Sequence, residues 1–480
     1  MLRLSFRIRL VTLFLLLPFV YGCIPEKGPQ EGAPGTEEGA GEEAAPALSE
    51  HHFVVLDPGH FHAALVFKRA GYKGVSPLVG IYAPVGEDFV DHMARVAPFN
   101  TRETDPASWR YQIYLGPDYQ KVMGDEKFGD IAVLSGRNQP KVDRILSCVR
   151  GGLNVLADKP WVIDSRKLPV LETVIAEAKA KGLVVYDIMT ERFEVTTILQ
   201  RMIVNDKATF GQPVEGTAED PAVVKKSVHH LYKLVAGRPN KRPWWFFDTD
   251  VQGDGLVDVT THLVDMLFWA LFPEQPIDYK QDIEMISASR WPTILSREEF
   301  GKVTGLEGFP PQLALDENGK LPYYCNGRML YKLRGINVMV QVEWNFEAPE
   351  GSGDTHYSII KGSKAHVLVL QGKEQNYLPE VYVKPAPGME AQAVEQPLKA
   401  LIGRISADTY PGISVVKEGD LWRIGIPDKY RVGHEAHFGQ VTDRFLGFLN
   451  GEPVPEWEWA NLLAKYYVTT SALDLCREKP

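Results

Sequence analysis

Asn154-Val155-Leu156-Ala157-Asp158-Lys159-Pro160 places three apolar residues ahead of an acid, a lysine and a proline. A run this short and this apolar is the pattern of a strand buried on both faces of a parallel sheet. Gly151-Gly152, just before it, stops a helical pattern over about Lys141 to Arg150. Lys159 then stands at the strand's carboxyl end, where open α/β sheets hold their ligands. A lysine there can donate hydrogen bonds to a ligand. Taken alone, it reads first as a surface lysine at a strand exit.

Outward from this stretch the alternation repeats. Phe53–Leu56, Leu78–Tyr82, Ile131–Leu134 and Leu183–Tyr186 are strand-like. Helical patterns lie between them, at Ala63–Ala70, Asp88–Val96, Lys141–Arg150 and Pro169–Ala180. This order predicts an α/β Rossmann-type domain over residues 51–190. From residue 191 the pattern changes. A helix runs to about Val204, and β-type runs cover Ser227–Leu234, Tyr331–Phe346, Tyr357–Ile360, His366–Leu370 and Tyr377–Val383. Helices at His434–Leu449 and Glu456–Leu475 close the chain. Residues 191–480 therefore read as an α+β domain with a mainly antiparallel open sheet.

The chain has 480 residues and a formal net charge of -10. That length asks for two or three domains, and that charge excludes a nucleic-acid partner, which needs a basic face. The first 22 residues read as a signal peptide. Arg3, Arg7 and Arg9 precede an apolar run, Leu10 to Val20, that is too short to span a bilayer. No arginine pair marks twin-arginine export. Val20-Tyr21-Gly22-Cys23 resembles a bacterial lipobox, which implies lipid on Cys23. Residues 23–50, rich in Gly, Pro, Ala and Glu, form an acidic tether. The expected location is an exported, membrane-anchored lipoprotein on the periplasmic or cell-surface side of the outer membrane. Cys148 reads as a small core residue. A Cys325–Cys476 bridge is permitted by that compartment.

Asp57-Pro58-Gly59-His60-Phe61-His62 follows the first strand. A dinucleotide turn carries Gly-x-Gly-x-x-Gly. Here those positions are Asp57, Gly59 and His62. Tyr82-Ala83-Pro84 also lacks the acid that holds a ribose. His60 and His62, with no third ligand near them in sequence, read as polar-site residues, and no metal is expected. Further on come Trp244-Trp245 and then Gly253-Asp254-Gly255-Leu256-Val257-Asp258-Val259-Thr260-Thr261-His262-Leu263-Val264-Asp265. Asp258, His262 and Asp265 at i, i+4 and i+7 would share one helical face. That spacing reads as a catalytic histidine steadied by a carboxylate, or as a capped helix with a core histidine.

Together these motifs resemble the Gfo/Idh/MocA oxidoreductases, the glucose–fructose oxidoreductase and inositol dehydrogenase relatives. Asp158-Lys159-Pro160 is similar to their Glu-Lys-Pro, and Asp258 and His262 to their Asp-x-x-x-His pair. More narrowly, Leu56–Ala64 and Tyr186–Arg192 look like a branch of lipoprotein oxidoreductases with their own C-terminal domain. The resemblance implies Lys159, Asp258 and His262 as catalytic. It implies Gly59, His60, Phe61, Ser135, Gly136, Asn138, Asp158 and Lys159 around NAD or NADP. It implies Arg192, Trp244, Trp245, Asp258 and His262 around a sugar or glycoside, with a Trp ring stacked on the sugar. His262 or Lys159 would take a hydroxyl proton and Asp258 would orient His262, in an oxidation or in a redox-neutral oxidation and elimination cycle. The broken glycine turn keeps two alternatives open: a non-redox sugar lyase, hydratase or glycosidase, and a glycan-binding lipoprotein. Homo-oligomers through the C-terminal sheet are a further expectation.

Overall fold

The computed structural model describes residues 50–235 and 238–477. The signal peptide, Cys23 and nearly all of the tether lie outside them. No described helix is long and apolar enough to cross a membrane.

Six parallel strands form the first sheet: β1 (Phe53–Leu56), β2 (Leu78–Ala83), β3 (Arg110–Leu115), β4 (Ile131–Leu134), β5 (Asn154–Ala157) and β6 (Val185–Asp187). Their order is β3-β2-β1-β4-β5-β6, the doubly wound arrangement. The Asn154 run is a buried strand of it, its register pairing Val155 with Ala132 and with Val185. Helices α1 (His62–Leu65), α2 (Glu87–Thr101), α3 (Tyr119–Glu126), α4 (Lys141–Arg150) and α5 (Leu168–Lys181) connect the strands. α1 is one turn long, shorter than the expected Ala63–Ala70 helix.

Alternate residues of each strand enter opposite cores. Phe53, Val55, Val79, Ile81 and Ile131 pack on one side with Phe438, Val441 and Phe445. Val54, Leu56, Ala132 and Val155 pack on the other with Trp459, Leu462 and Tyr466. These partners belong to the two C-terminal helices. Each buried apolar side chain of this size contributes about 1.5–3 kcal/mol. Both cores of the first sheet are thus completed by residues beyond the boundary drawn at 190.

The second half begins with α6 (Val195–Val204) and β7 (Val223–Tyr232), followed by a short two-stranded ladder, β8 (Leu234–Val235) and β9 (Arg238–Pro239). Then come α7 (Thr260–Leu271), β10 (Ile283–Leu295), α8 (Arg297–Thr304), β11 (Leu321–Leu333), β12 (Ile336–Glu347), β13 (Thr355–Lys361), β14 (Ala365–Gln371) and β15 (Glu380–Pro385). α9 (Ala391–Asp408), β16 (Ser414–Glu418), β17 (Leu421–Gly425), α10 (His434–Leu449) and α11 (Glu456–Arg477) complete the chain. The nine-stranded sheet runs β10-β11-β12-β7-β13-β14-β15-β17-β16. It is antiparallel except for β7 against β12. The expected strand Tyr331–Phe346 is a hairpin, because Arg334 and Gly335 take positive φ (49° and 83°) and reverse the chain. β3 was not expected: its side chains are exposed or half-buried, so it has no apolar run to show. Cys148 is buried as expected. No disulfide joins Cys325 to Cys476; Cys325 packs among Phe246, Tyr323 and Trp344.

Candidate active site

Strand β5 delivers Asp158 and Lys159 into a cavity of about 540 Å³ at the carboxyl edge of the parallel sheet. Lys159 Nζ donates to Asp258 Oδ1 at 2.6 Å, and Gln252 Nε2 donates to Asp258 Oδ2 at 3.1 Å. Burial would raise the Asp258 carboxyl, but Lys159 and these hydrogen bonds hold it below the ordinary value. Asp258 precedes α7 and lies in a turn, so it does not share a helical face with His262. It pairs with Lys159 rather than steadying the imidazole, a correction to the expected Asp258–His262 pair.

His262, in the first turn of α7, lines the same cavity. Its Nδ1 is buried and makes no hydrogen bond among the described residues. Burial first, and then the Lys159 charge, push its pKa down to about 4. The imidazole is therefore neutral at ordinary pH, as a proton acceptor must be.

The rest of the lining is polar, with aromatic faces. Asp354, from the Gly351–Asp354 turn, holds His229 at 3.2 Å and His230 at 2.9 Å and pairs with Lys233. Glu191 lies 3.3 Å from His434 Nδ1. Burial would raise the Glu191 carboxyl, but His434 and its neighbouring histidines hold it well below the usual range. Phe61, Phe246 and Trp344 supply the apolar faces. Sequence reasoning missed Gln252, Glu191, His229, His356, His434 and Phe246. A usable signal existed only for His434 and His437, which share a helix face at i, i+3.

Three expected substrate contacts lie elsewhere. Trp245 is 1% exposed and does not reach the cavity; its Nε1 donates to Asp88 Oδ1 at 3.0 Å. Trp244 packs at the edge of the neighbouring aromatic cluster. Arg192 is buried in ion pairs, 2.6 Å from Asp265 and 2.8 Å from Glu458, so it locks helices together instead of meeting a ligand.

The expected cofactor residues divide. His60, Phe61, Gly136, Asn138, Asp158 and Lys159 line the cavity. Gly59 and Ser135 do not. A Cβ on Gly59 would lie 2.8 Å from the Trp245 ring. Arg137 lies over that ring and reaches Asp88 at 2.7 Å, while Arg144 pairs with Asp57 at 2.6 Å. The backbone amides of Gly59 and His60 already donate to Asp57 O and Ser135 O, both at 2.9 Å. A diphosphate needs open amides beside a glycine turn. In this packing the amides are engaged, the glycine is covered and two carboxylates hold the nearby arginines. As packed here, the turn offers a diphosphate no open amide at Gly59 or His60.

The family model described as "Putative oxidoreductase C terminal domain" matches residues 199–477. Among solved structures, a "putative oxidoreductase" from Parabacteroides merdae is 49% identical with a TM-score of 0.88, covering 90% of this chain and 99% of that one. At the level of fold, GenD2 from gentamicin A biosynthesis, in complex with NAD, matches with a TM-score of 0.54 at 13% identity, covering 92% of this chain and 98% of that one. KijD10, a 3-ketoreductase from Actinomadura kijaniata in complex with NADP and TDP-benzene, matches with a TM-score of 0.52 at 13% identity, covering 90% and 98%. No curated protein matches the sequence. With the family model spanning more than half of its length and a 49% identical relative aligned along almost all of its folded body, the chain belongs to this family of oxidoreductases, on the Gfo/Idh/MocA fold.

Proposed function

We propose that this oxidoreductase acts on a sugar or glycoside, with Lys159 and His262 handling the substrate proton. The observation that carries this is the buried Lys159–Asp258 pair opening into the cavity that the neutral His262 imidazole also lines. A substrate hydroxyl there would lose its proton to His262, and the Lys159 ammonium would stabilise the alkoxide. Polar groups beside Phe246 and Trp344 suit a polyol with apolar ring faces. Because the neutral form of His262 is the active one, activity should persist above its pKa and fall below it. kcat/KM should keep its acid limb near pH 4; a limb near the ordinary imidazole value of ~6.5 would remove His262 as the acceptor.

NAD or NADP as cofactor is supported by the ligands of GenD2 and KijD10. The packing of Trp245 on Gly59 favours a second reading, a non-redox sugar lyase, hydratase or glycosidase. The two part experimentally. Protein isolated from its native membrane is denatured and its released nucleotide sought by mass spectrometry, and NAD and NADP are titrated back. A nucleotide that binds must move the Trp245 ring, so Trp245→Ala should tighten binding by about tenfold, the equivalent of ~1.4 kcal/mol. No nucleotide released and none bound by either protein, with sugar turnover retained, leaves the non-redox reading. Binding of a glycan without any product leaves a glycan-binding protein. A redox-neutral oxidation and elimination cycle requires retained nucleotide with no net NADH formed.

Export and lipid on Cys23 are proposed from the leader; the intact mass of the mature N-terminus tests them. Pairing of copies through the C-terminal sheet, where Tyr357 and Ile294 are exposed, is tested by sedimentation.

A further inference from the structure

We propose that His60, His62 and Asp158 bind a divalent first-row transition metal ion. The three lie at the ends of β1 and β5 and share the wall of the large cavity. Asp158 Oδ2 is 3.0 Å from His62 Nδ1 and 3.2 Å from His60 Nδ1. With metal–ligand bonds of about 2.0–2.1 Å, ligand atoms sit ~2.9 Å apart in an octahedral site and ~3.4 Å apart in a tetrahedral one. Both measured separations fall in that window.

Hydrogen bonding alone accounts for the cluster poorly. Ser135 Oγ already donates to Asp158 Oδ2 at 3.1 Å, and His62 Nδ1 is within bonding distance of the same oxygen. His60 Nδ1 lies 3.2 Å from that oxygen too, so one carboxylate oxygen faces Ser135 and both imidazoles. A cation shared by the three atoms satisfies both imidazoles and compensates a buried carboxylate.

The donors are also held in place. His60 N donates to Ser135 O at 2.9 Å. A Cβ on Gly136 would meet Asp57 O at 2.3 Å, so the exits of β1 and β4 are in tight contact. Lys141 Nζ donates to the backbone carbonyl of Asp158 at 2.9 Å. Ser135 and Lys141 are the kind of outer contacts that orient metal ligands.

Two imidazoles and one carboxylate leave coordination positions open, and the three side chains line the same cavity as Lys159 and His262. This donor set suits Zn, Fe, Co, Ni or Mn better than Ca or Mg. Oxygen atoms of the ligand in the cavity would complete the shell.

Metal is first measured by mass spectrometry of the mature, full-length protein purified without chelator. Chelator-stripped protein is then titrated with Co2+ alone, read by its visible absorption. One equivalent per chain is expected. His60→Gln and His62→Gln should each weaken binding by at least ~100-fold. His356→Gln, on another wall of the same cavity, should leave it unchanged, and circular dichroism checks that each variant is folded. The wild-type Co2+ protein should also show two shifted imidazole N–H resonances by NMR, an observation independent of any variant's folding. Folded wild-type protein that binds no Co2+, affinity unchanged in the His60→Gln/His62→Gln variant, or the absence of those resonances overturns the site. Since the readout is metal bound per folded chain, failure of the sugar reading leaves it standing.

Discussion

Arg192→Ala should lower the unfolding free energy by about 3–5 kcal/mol, the cost of leaving buried carboxylates without their partner. The Arg192 guanidinium contacts Asp265 through Nε at 2.6 Å and Nη2 at 2.7 Å, and Glu458 through Nη1 at 2.8 Å. Asp265 is 1% exposed, so water cannot replace the arginine. Lys465 reaches Asp265 at 3.0 Å and Asp187 at 2.5 Å, but nothing comparable remains for Glu458. Burial alone would raise the Asp265 carboxyl; Arg192 and Lys465 hold it well below its ordinary value, so their loss should shift it upward. Urea denaturation at constant m-value measures the cost. Arg192→Lys should recover only part of the loss, because an ammonium cannot make the forked contact. In variants that stay folded, KM should not change. A raised KM with unchanged stability would return Arg192 to the substrate site.

Lys159→Ala should reduce kcat by ~10²–10⁴-fold, the range for losing a charge-stabilising or proton-transferring group. It should also destabilise the fold, because Asp258 would stay buried with only Gln252 to hold it. With the ammonium gone, the Asp258 carboxyl should titrate higher, and so should His262, freed from a like charge. Lys159→Met combined with Asp258→Asn separates the two roles. The double variant should regain thermal stability, since no isolated charge remains, but not turnover. Activity restored together with stability would show that the pair is structural.

The parallel sheet was legible because its signal is local. Val155, Leu156 and Ala157 are apolar in succession, and both sheet faces are covered, so burial and sequence pattern coincide. The exposed strand β3 and the hairpin turn at Arg334-Gly335 left no such trace. The residues proposed to handle the substrate proton were partly legible: Lys159 at the end of its strand and His262 near an acid. Asp258's true partner was not, because helical spacing places side chains only inside a helix, and Asp258 lies ahead of one.

The sequence by itself determined the two-part architecture, the covered sheet and the lysine at the cavity edge. Each follows from short-range periodicity and chain direction. Only the tertiary structure decided which charges meet. It put Arg192 between Asp265 and Glu458, laid Trp245 over Gly59, and brought Asp158 to 3.2 Å from His60 and 3.0 Å from His62. The physical reason is burial. Out of water a charge or an imidazole must find a partner, and the fold can draw that partner from any distance along the chain.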